Sequence, residues 1–392
     1  MKNIIITGGE LFNKGAQAMT FVAVDECKKR FPNHKIYVLS EMDLRRSKED
    51  KDQYAFRFAG WYPVKFANCQ TSPMLRTMCL LRNGKELREC EALYKNCDLM
   101  IDVSGYGLGS NFGPNQLSNY INHLEFAKAF KIPYYLMPQS FGPFDFDGEK
   151  KNITENLPDL LRSVKLICAR EKEGYKALTE EYQLHNVRIL PDIVLNNKGI
   201  TLSNIYKKIP TETSPVVTEN SIALVPNERI ASALGKDSAI ELYKTITAFL
   251  LNKGRKVYII SHASADQTLC REIKDSFPAE NLIHLDKDFT CLEYNELVKR
   301  FRFVIASRFH AIVHAYKNSV PCIAVGWADK YRNLLAEFEQ ERFAFDVRSD
   351  CTINQIEDQI RYLDEHTEEE SARIKMHLAK IQENNVFDLI EL

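Results

Sequence analysis

The chain has 392 residues, 45% hydrophobic and 27% charged, with 52 basic against 53 acidic side chains and a formal net charge of −1. That length exceeds one ordinary hydrophobic core and predicts two domains, while the even charge balance gives no basis for a nucleic-acid-binding face. No apolar stretch reaches the ~18 residues of a membrane span, and the first apolar run is too short for a signal-peptide core.

The N-terminal half alternates short apolar runs with longer amphipathic stretches. Residues 3–7 (NIIIT) predict a strand, followed by a glycine-containing loop and a helix over AQAMTFVAVDECKKRF. Further strands are expected at 35–40, 98–104, 133–139, 164–170 and 187–192. Runs of Val, Ile and Leu without polar alternation indicate strands covered on both faces, hence a parallel sheet. Residues 201–220 are polar, carry two prolines and have no clear period, which marks a linker. The alternation then restarts, with strands expected at 221–227, 256–261, 281–285, 301–307 and 321–327. The expected organisation is a Rossmann-like domain over 1–205, a linker over 206–220, a second Rossmann-like domain over 221–365 and a C-terminal helix over 366–392. The fold class is α/β, and ligands should bind in the cleft beyond the strand ends.

Ten cysteines are scattered without a CxxC pair, several within apolar runs. They argue against a disulfide framework and for a cytoplasmic protein.

Four strand ends carry candidate chemistry. Asn13, Gly15 and Gln17 follow the first strand, where glycines allow backbone N–H groups to approach an anion at a helix N-terminus; an ordinary turn is the other account. Ser104 and Gly105 lie in a glycine-rich loop, either ligand-facing or simply a flexible turn. Gln139 and Ser140 could hydrogen-bond a hydroxylated ligand or belong to a rigid Gly-Pro turn. Arg170, and Ser307-Arg308-Phe309-His310 after the penultimate expected strand, place cations at the ends of buried strands, where each must meet an anion supplied by the protein or by a ligand.

His310 and His314 are four apart on one expected helix. HAIVH lacks the glutamate of HExxH, and no further ligand cluster supports a metal. Ser307 can cap this helix, His314 packs within it, and His310 is the candidate for proton transfer. A cationic neighbour and a helix N-terminus should lower its pKa unless a bound anion reverses the effect. Asp329 and Lys330 follow the next strand and should lie nearby.

The segment SRFHAIVHAYKNSVPCIAVGWADKYRNLL resembles the C-terminal signature of polysaccharide pyruvyltransferases. PQSFGPF, AREKEGYKAL, LPDIVL and NKGAQAM fit the same family in order, so the resemblance covers roughly residues 1 to 340. Gln17 and Gln139 depart from it, standing where relatives often carry an acidic residue and a histidine. The resemblance implies a glycosyltransferase-B-like fold of two Rossmann-like domains facing across a cleft. It also implies transfer of a pyruvyl group from phosphoenolpyruvate to a surface-polysaccharide sugar, or its lipid-linked precursor, as a ketal at the cytoplasmic membrane face. Arg170 and His310 would be the essential arginine and histidine. On the residues themselves, His310 is expected as general acid, with Arg170 and Arg308 holding phosphate and carboxylate, and neither cofactor nor metal is expected. A nucleotide-sugar-dependent glycosyltransferase is the first rival, with Glu228 for a ribose and Trp327 for a base. A partner-binding scaffold is the second.

Overall fold

The computed structural model describes residues 2–60, 85, 88–211, 215–277, 280–349 and 352–392. Cys69, Cys79, Cys351 and residues 212–214 of the expected linker lie outside them.

Every expected apolar run contains a strand. In the first half these are β1 (Asn3–Thr7), β2 (Lys35–Leu39), β4 (Cys97–Asp102), β6 (Tyr134–Phe141), β7 (Leu166–Ala169) and β8 (Val187–Ile189). Two short strands not read from the sequence join them, β3 (Arg57–Ala59) and β5 (Tyr106–Leu108). The order is β3-β2-β1-β4-β6-β7-β8, with β5 beside the end of β6 and every pairing parallel. The second sheet contains β9 (Ile222–Val225), β10 (Val257–Ile260), β11 (Leu282–Leu285), β12 (Phe303–Ala306), β13 (Cys322–Gly326) and β14 (Ala344–Asp346). Its order is β11-β10-β9-β12-β13-β14, again wholly parallel.

The apolar runs explain this sheet type. All five residues of β1 are buried, Ile4 and Ile6 in one hydrophobic cluster and Ile5 in another, as alternation across a doubly covered sheet requires. The cluster containing Ile4 and Ile6 continues into the second half through Ile222, Ile305 and Ile312.

Helix α1 (Lys14–Arg30) is buried along most of its length, because it lies between the two halves against α3 (Cys291–Val298) and α4 (Phe309–Lys317). The short α2 (Ile193–Asn196) receives Lys317 from α4, whose ammonium donates to the carbonyls of Val194 at 2.6 Å and Asn197 at 2.5 Å. A cation on the last carbonyls of a helix satisfies acceptors that have no intrahelical partner.

The last helices are α5 (Lys330–Ala336) and α6 (Ile353–Ile381), the latter broken at His366 (φ −114, ψ 19). The charged tail is therefore not one helix over 366–392: helix begins at Ile353 and ends at Ile381. Asn196 stops it by donating to the carbonyls of Ile381 at 2.7 Å and Asn384 at 2.8 Å. The chain then returns to the first sheet, where the Tyr135 hydroxyl donates to the Glu391 carbonyl at 3.2 Å. Among the described residues, no helix is long and apolar enough to cross a membrane.

Candidate active site

Strand order reverses between β1 and β4 in the first sheet and between β9 and β12 in the second. The segments that follow β1 and β10 meet between the halves, where Asn13 forms an antiparallel bridge with Ala263. Open α/β sheets bind ligands at such reversals.

His310 stands in the first turn of α4, against the N-terminus of α1. A Cβ at Gly15 would lie 2.4 Å from His310 Nδ1, so only glycine leaves room for the ring. His310 Nε2 is buried without a hydrogen-bond partner, 3.7 Å from Asp192 Oδ2. Burial lowers its pKa to about 4; Asp192 opposes this, while Arg170 and Lys330 add to it. The ring is thus neutral near pH 7 before a ligand arrives. His314 is enclosed as expected, with Nδ1 3.2 Å from Asn295 Oδ1 and its ring against Tyr294.

Arg170 leaves the end of β7 with its side chain 5% exposed. Nη1 donates to Asp192 Oδ2 at 2.8 Å, and Nη2 donates to the Gly105 carbonyl at 2.9 Å and to Ser140 Oγ at 2.8 Å. Gly105 adopts a φ of +66, which an L side chain disfavours, and so turns its carbonyl to the arginine. The guanidinium carbon also lies 4.5 Å from the centre of the Phe309 ring, contributed by the other half of the chain. Asp192 caps α2 by accepting from the Val194 N–H at 2.8 Å. Burial would raise its pKa, but His310, Arg170 and that N–H outweigh burial and hold it below the usual carboxylate range.

Arg308 is held within its own half. Nε donates to Asp266 Oδ2 at 2.8 Å and Nη2 donates to Oδ1, while the N–H groups of Ala263 and Glu228 donate to the same carboxylate. Arg308 occupies the cap position of α4 in an extended conformation, and its side chain does not cap.

Lys330 begins α5, and its ammonium makes no hydrogen bond or ion pair among the described residues. Its ammonium lies 5.4 Å from the ring centre of Trp327, 5.6 Å from Tyr106, 5.7 Å from Phe309 and 5.8 Å from Tyr331. Burial lowers its pKa to about 8, helped by Arg170, Arg229 and Arg308 and opposed by Glu171.

The other expected site residues divide. Asn13 caps α1, its Oδ1 accepting from the Gly15 N–H at 2.9 Å, and stays at the cleft. Ser140 stays too, bonded to Arg170 and donating to Glu171 Oε1 at 2.8 Å. Five residues are spent elsewhere. Gln17 Oε1 accepts the Cys291 N–H at 2.6 Å, which fastens α1 to the start of α3. Gln139 is 0% exposed, donating to Asp102 Oδ1 at 2.9 Å and accepting from the Tyr120 hydroxyl at 3.2 Å. The Ser104 hydroxyl donates to the same Asp102 at 2.9 Å. Ser307 is not the helix cap: it is 1% exposed, with Oγ accepting from Tyr243 at 2.8 Å. Asp329 is 82% exposed and pairs with Arg348 outside the cleft.

Asp266, Arg229, Tyr106 and Glu337 also border the site, and no sequence motif marks them. A cavity of about 930 Å³ opens beside Arg170, lined by Glu171, Glu173, Pro191, Asn333 and Glu337 among others. Burial raises the Glu337 pKa to about 8, with Asp192 and Glu171 adding to it against Arg170, so this carboxyl can donate a hydrogen bond at neutral pH. Among the described residues, no group of three or more His, Cys, Asp or Glu is arranged to hold a metal ion.

A family model described as polysaccharide pyruvyl transferase matches residues 13–329. No curated protein matches the sequence significantly. Among solved structures, the glycotransferase of kitacinnamycin is similar with a TM-score of 0.57 at 10% identity, covering 100% of this chain and 99% of that one. The spinosyn rhamnosyltransferase SpnG gives 0.55 at 12% identity, covering 97% and 96%. The UDP-GlcNAc 2-epimerase from Methanocaldococcus jannaschii gives 0.54 at 12% identity, covering 98% and 93%. At these identities the likeness shows the fold alone, two parallel-sheet domains in the glycosyltransferase-B arrangement.

Proposed function

The chain belongs to the polysaccharide pyruvyl transferase family and is a transferase, and we propose that it moves a pyruvyl group from phosphoenolpyruvate onto two hydroxyls of a sugar, closing a ketal. The acceptor is a surface polysaccharide or its lipid-linked precursor, met at the inner face of the cell membrane.

The carrying observation is His310: a buried imidazole whose Nε2 has no hydrogen-bond partner, set between Asp192 and the cations Arg170 and Lys330. The enol phosphate needs a proton on its methylene carbon to develop positive charge at C2. His310 supplies that proton. It is neutral in the empty site, so it is charged only when the donor's phosphate and carboxylate offset the neighbouring cations. One sugar hydroxyl then adds to C2, the bond from C2 to the phosphate oxygen breaks with its electron pair, and the second hydroxyl adds to the same carbon. Of the two hydroxyl protons, one replaces the proton given by His310 and the other leaves with phosphate.

Arg170 and Arg308 supply a fixed positive field for the departing phosphate. Each is already oriented by its carboxylate, so little reorganisation accompanies the reaction. The cavity beside Arg170, with Glu171, Glu173 and Glu337, supports an acceptor bound there by hydrogen bonds to its hydroxyls. The nucleotide-sugar reading draws on the fold alone: Glu228 is exposed, and the Trp327 ring is engaged by Lys330.

Calorimetric titration of the wild type and of Arg170→Ala with phosphoenolpyruvate tests the donor. Binding by the wild type that is lost in the variant is expected. Binding of nucleotide sugars in place of phosphoenolpyruvate would overturn the donor assignment.

A further inference from the structure

The two arginines that mark this site are both committed to protein carboxylates. Arg170 spends Nη1 and Nη2 on Asp192, Gly105 and Ser140 and turns its buried Nε toward Glu171 Oε1 at 3.6 Å, and Arg308 spends Nε and Nη2 on Asp266. A multiply charged donor entering the cleft needs hydrogen-bond donors that are not already engaged. Lys330 has them, since its ammonium makes no hydrogen bond or ion pair among the described residues.

Its surroundings explain how a charge without a partner is tolerated. Four rings lie within 5.4 to 5.8 Å, and ring faces attract a cation without consuming its N–H groups. Three of the rings, Phe309, Trp327 and Tyr331, come from the same half as Lys330, and Tyr106 comes from the other. The ammonium therefore spans the cleft, and it shares the Phe309 ring with Arg170. The rings hold the stem and exclude water from one side, leaving the N–H groups to a ligand. Arg229, exposed beyond β9 and close enough to depress the Lys330 pKa, adds a second cation at this mouth.

We propose that Lys330, in its ring of Tyr106, Phe309, Trp327 and Tyr331, is the residue that binds the anionic end of the donor, with Arg170 and Arg308 acting as the fixed frame around it. The proposal rests on the pyruvyl-transfer reading only for the identity of the anion. A phosphorylated carboxylate and a diphosphate would both meet the same ammonium.

The test titrates wild type, Lys330→Met and Lys330→Arg with phosphoenolpyruvate and, separately, with inorganic pyrophosphate, while thermal melting checks each fold. Methionine keeps the apolar stem against the rings and removes the charge. The expected result is a loss of about 10- to 100-fold in affinity in Lys330→Met, the usual range for hydrogen bonds to a charged group, with partial recovery in Lys330→Arg. Lys330→Met that melts as the wild type and binds both anions as tightly overturns the proposal. So does a wild type that binds neither anion at millimolar concentration. Pyrophosphate binding that depends on Lys330, without any phosphoenolpyruvate binding, would retain the proposal and overturn the donor assignment. If Lys330→Met fails to fold, Lys330→Arg and Trp327→Leu replace it. Lys330→Arg that binds like the wild type, beside a Trp327→Leu protein weakened for both anions, supports the subsite; unchanged binding in Trp327→Leu overturns it.

Discussion

Arg170 and Arg308 leave buried parallel strands in the same manner and meet different surroundings. Arg170 collects partners from three separate segments of the first half, at Gly105, Ser140 and Asp192, and lies on the Phe309 ring of the second half. Arg308 is clasped by one carboxylate of its own half, Asp266, itself held by two backbone N–H groups. One arginine ties the cleft together, and the other anchors the loop that presents α4. An arginine at a strand end can thus belong to a site without offering its hydrogen bonds to the substrate.

The largest expected effect falls between the two arginines. His310→Ala should lower kcat by about 10² to 10⁴, the usual range for a general acid, while melting near the wild-type temperature. Phosphate release followed with phosphoenolpyruvate and acceptor measures this, and turnover within a few-fold of the wild type would remove His310 from the proton transfer.

The carboxylates separate the two roles next. Asp266→Ala strands Arg308 and removes the acceptor for two backbone donors, and should cost about 3–5 kcal/mol of stability by urea unfolding. Asp192→Asn keeps an α2 cap of comparable strength and should cost less stability, but it takes the counter-charge from His310 and lowers turnover. Equal stability losses in both would mean that the arginines are not used differently. Gly15→Ala addresses the ring directly. Its Cβ would lie 2.4 Å from Nδ1, so the imidazole must move, and a displacement of that kind costs roughly 10²-fold in kcat where geometry controls the step. A smaller effect is expected at Gln17→Ala, which leaves the buried Cys291 N–H without its acceptor and should cost about 1–3 kcal/mol in an unfolding experiment with little change in kcat.

These sites also mark how far the sequence can be read. The central strands were visible because β1, β4, β9 and β12 are largely buried and each carries an uninterrupted apolar run, at 4–6, 99–101, 222–225 and 303–306. β3, β5 and β14 were not, since RFA, YGL and AFD are three residues long and carry no apolar run. Arg170 and His310 stood out as charged or titratable groups at the ends of such strands. Gln17, Gln139 and Ser307 carry the same signal, a polar residue near a strand end, yet they satisfy buried donors and acceptors within the protein. Sequence position cannot separate the two uses, because both need a polar atom where the sheet stops. Asp266 lies in SHASADQTL, where no spacing links it to Arg308, and the rings around Lys330 meet only once both halves have folded.

The smallest effect is the sharpest test of how His310 gains its proton. In the empty site its pKa is about 4, so at pH 7 it is neutral, facing Asp192 from α2, Arg170 from β7 and Lys330 from α5. A bound anion raises that value, and a group whose pKa rises on binding takes up a proton at any pH between its free and bound values. Affinity for phosphoenolpyruvate should therefore fall as pH increases from 6 to 8, by at most about tenfold per unit for one proton. Lys330 titrates near 8 in the empty site and is mostly charged already at pH 7, so its uptake enters at the upper end of this range. Titrations at pH 7 in buffers of different ionisation enthalpy count the protons. The wild type should take up a larger fraction than His310→Asn, which keeps a polar side chain and cannot be protonated. Equal uptake in the two proteins would leave the donor phosphate or Lys330 as the proton's destination and would remove His310 as the acid that protonates the methylene carbon.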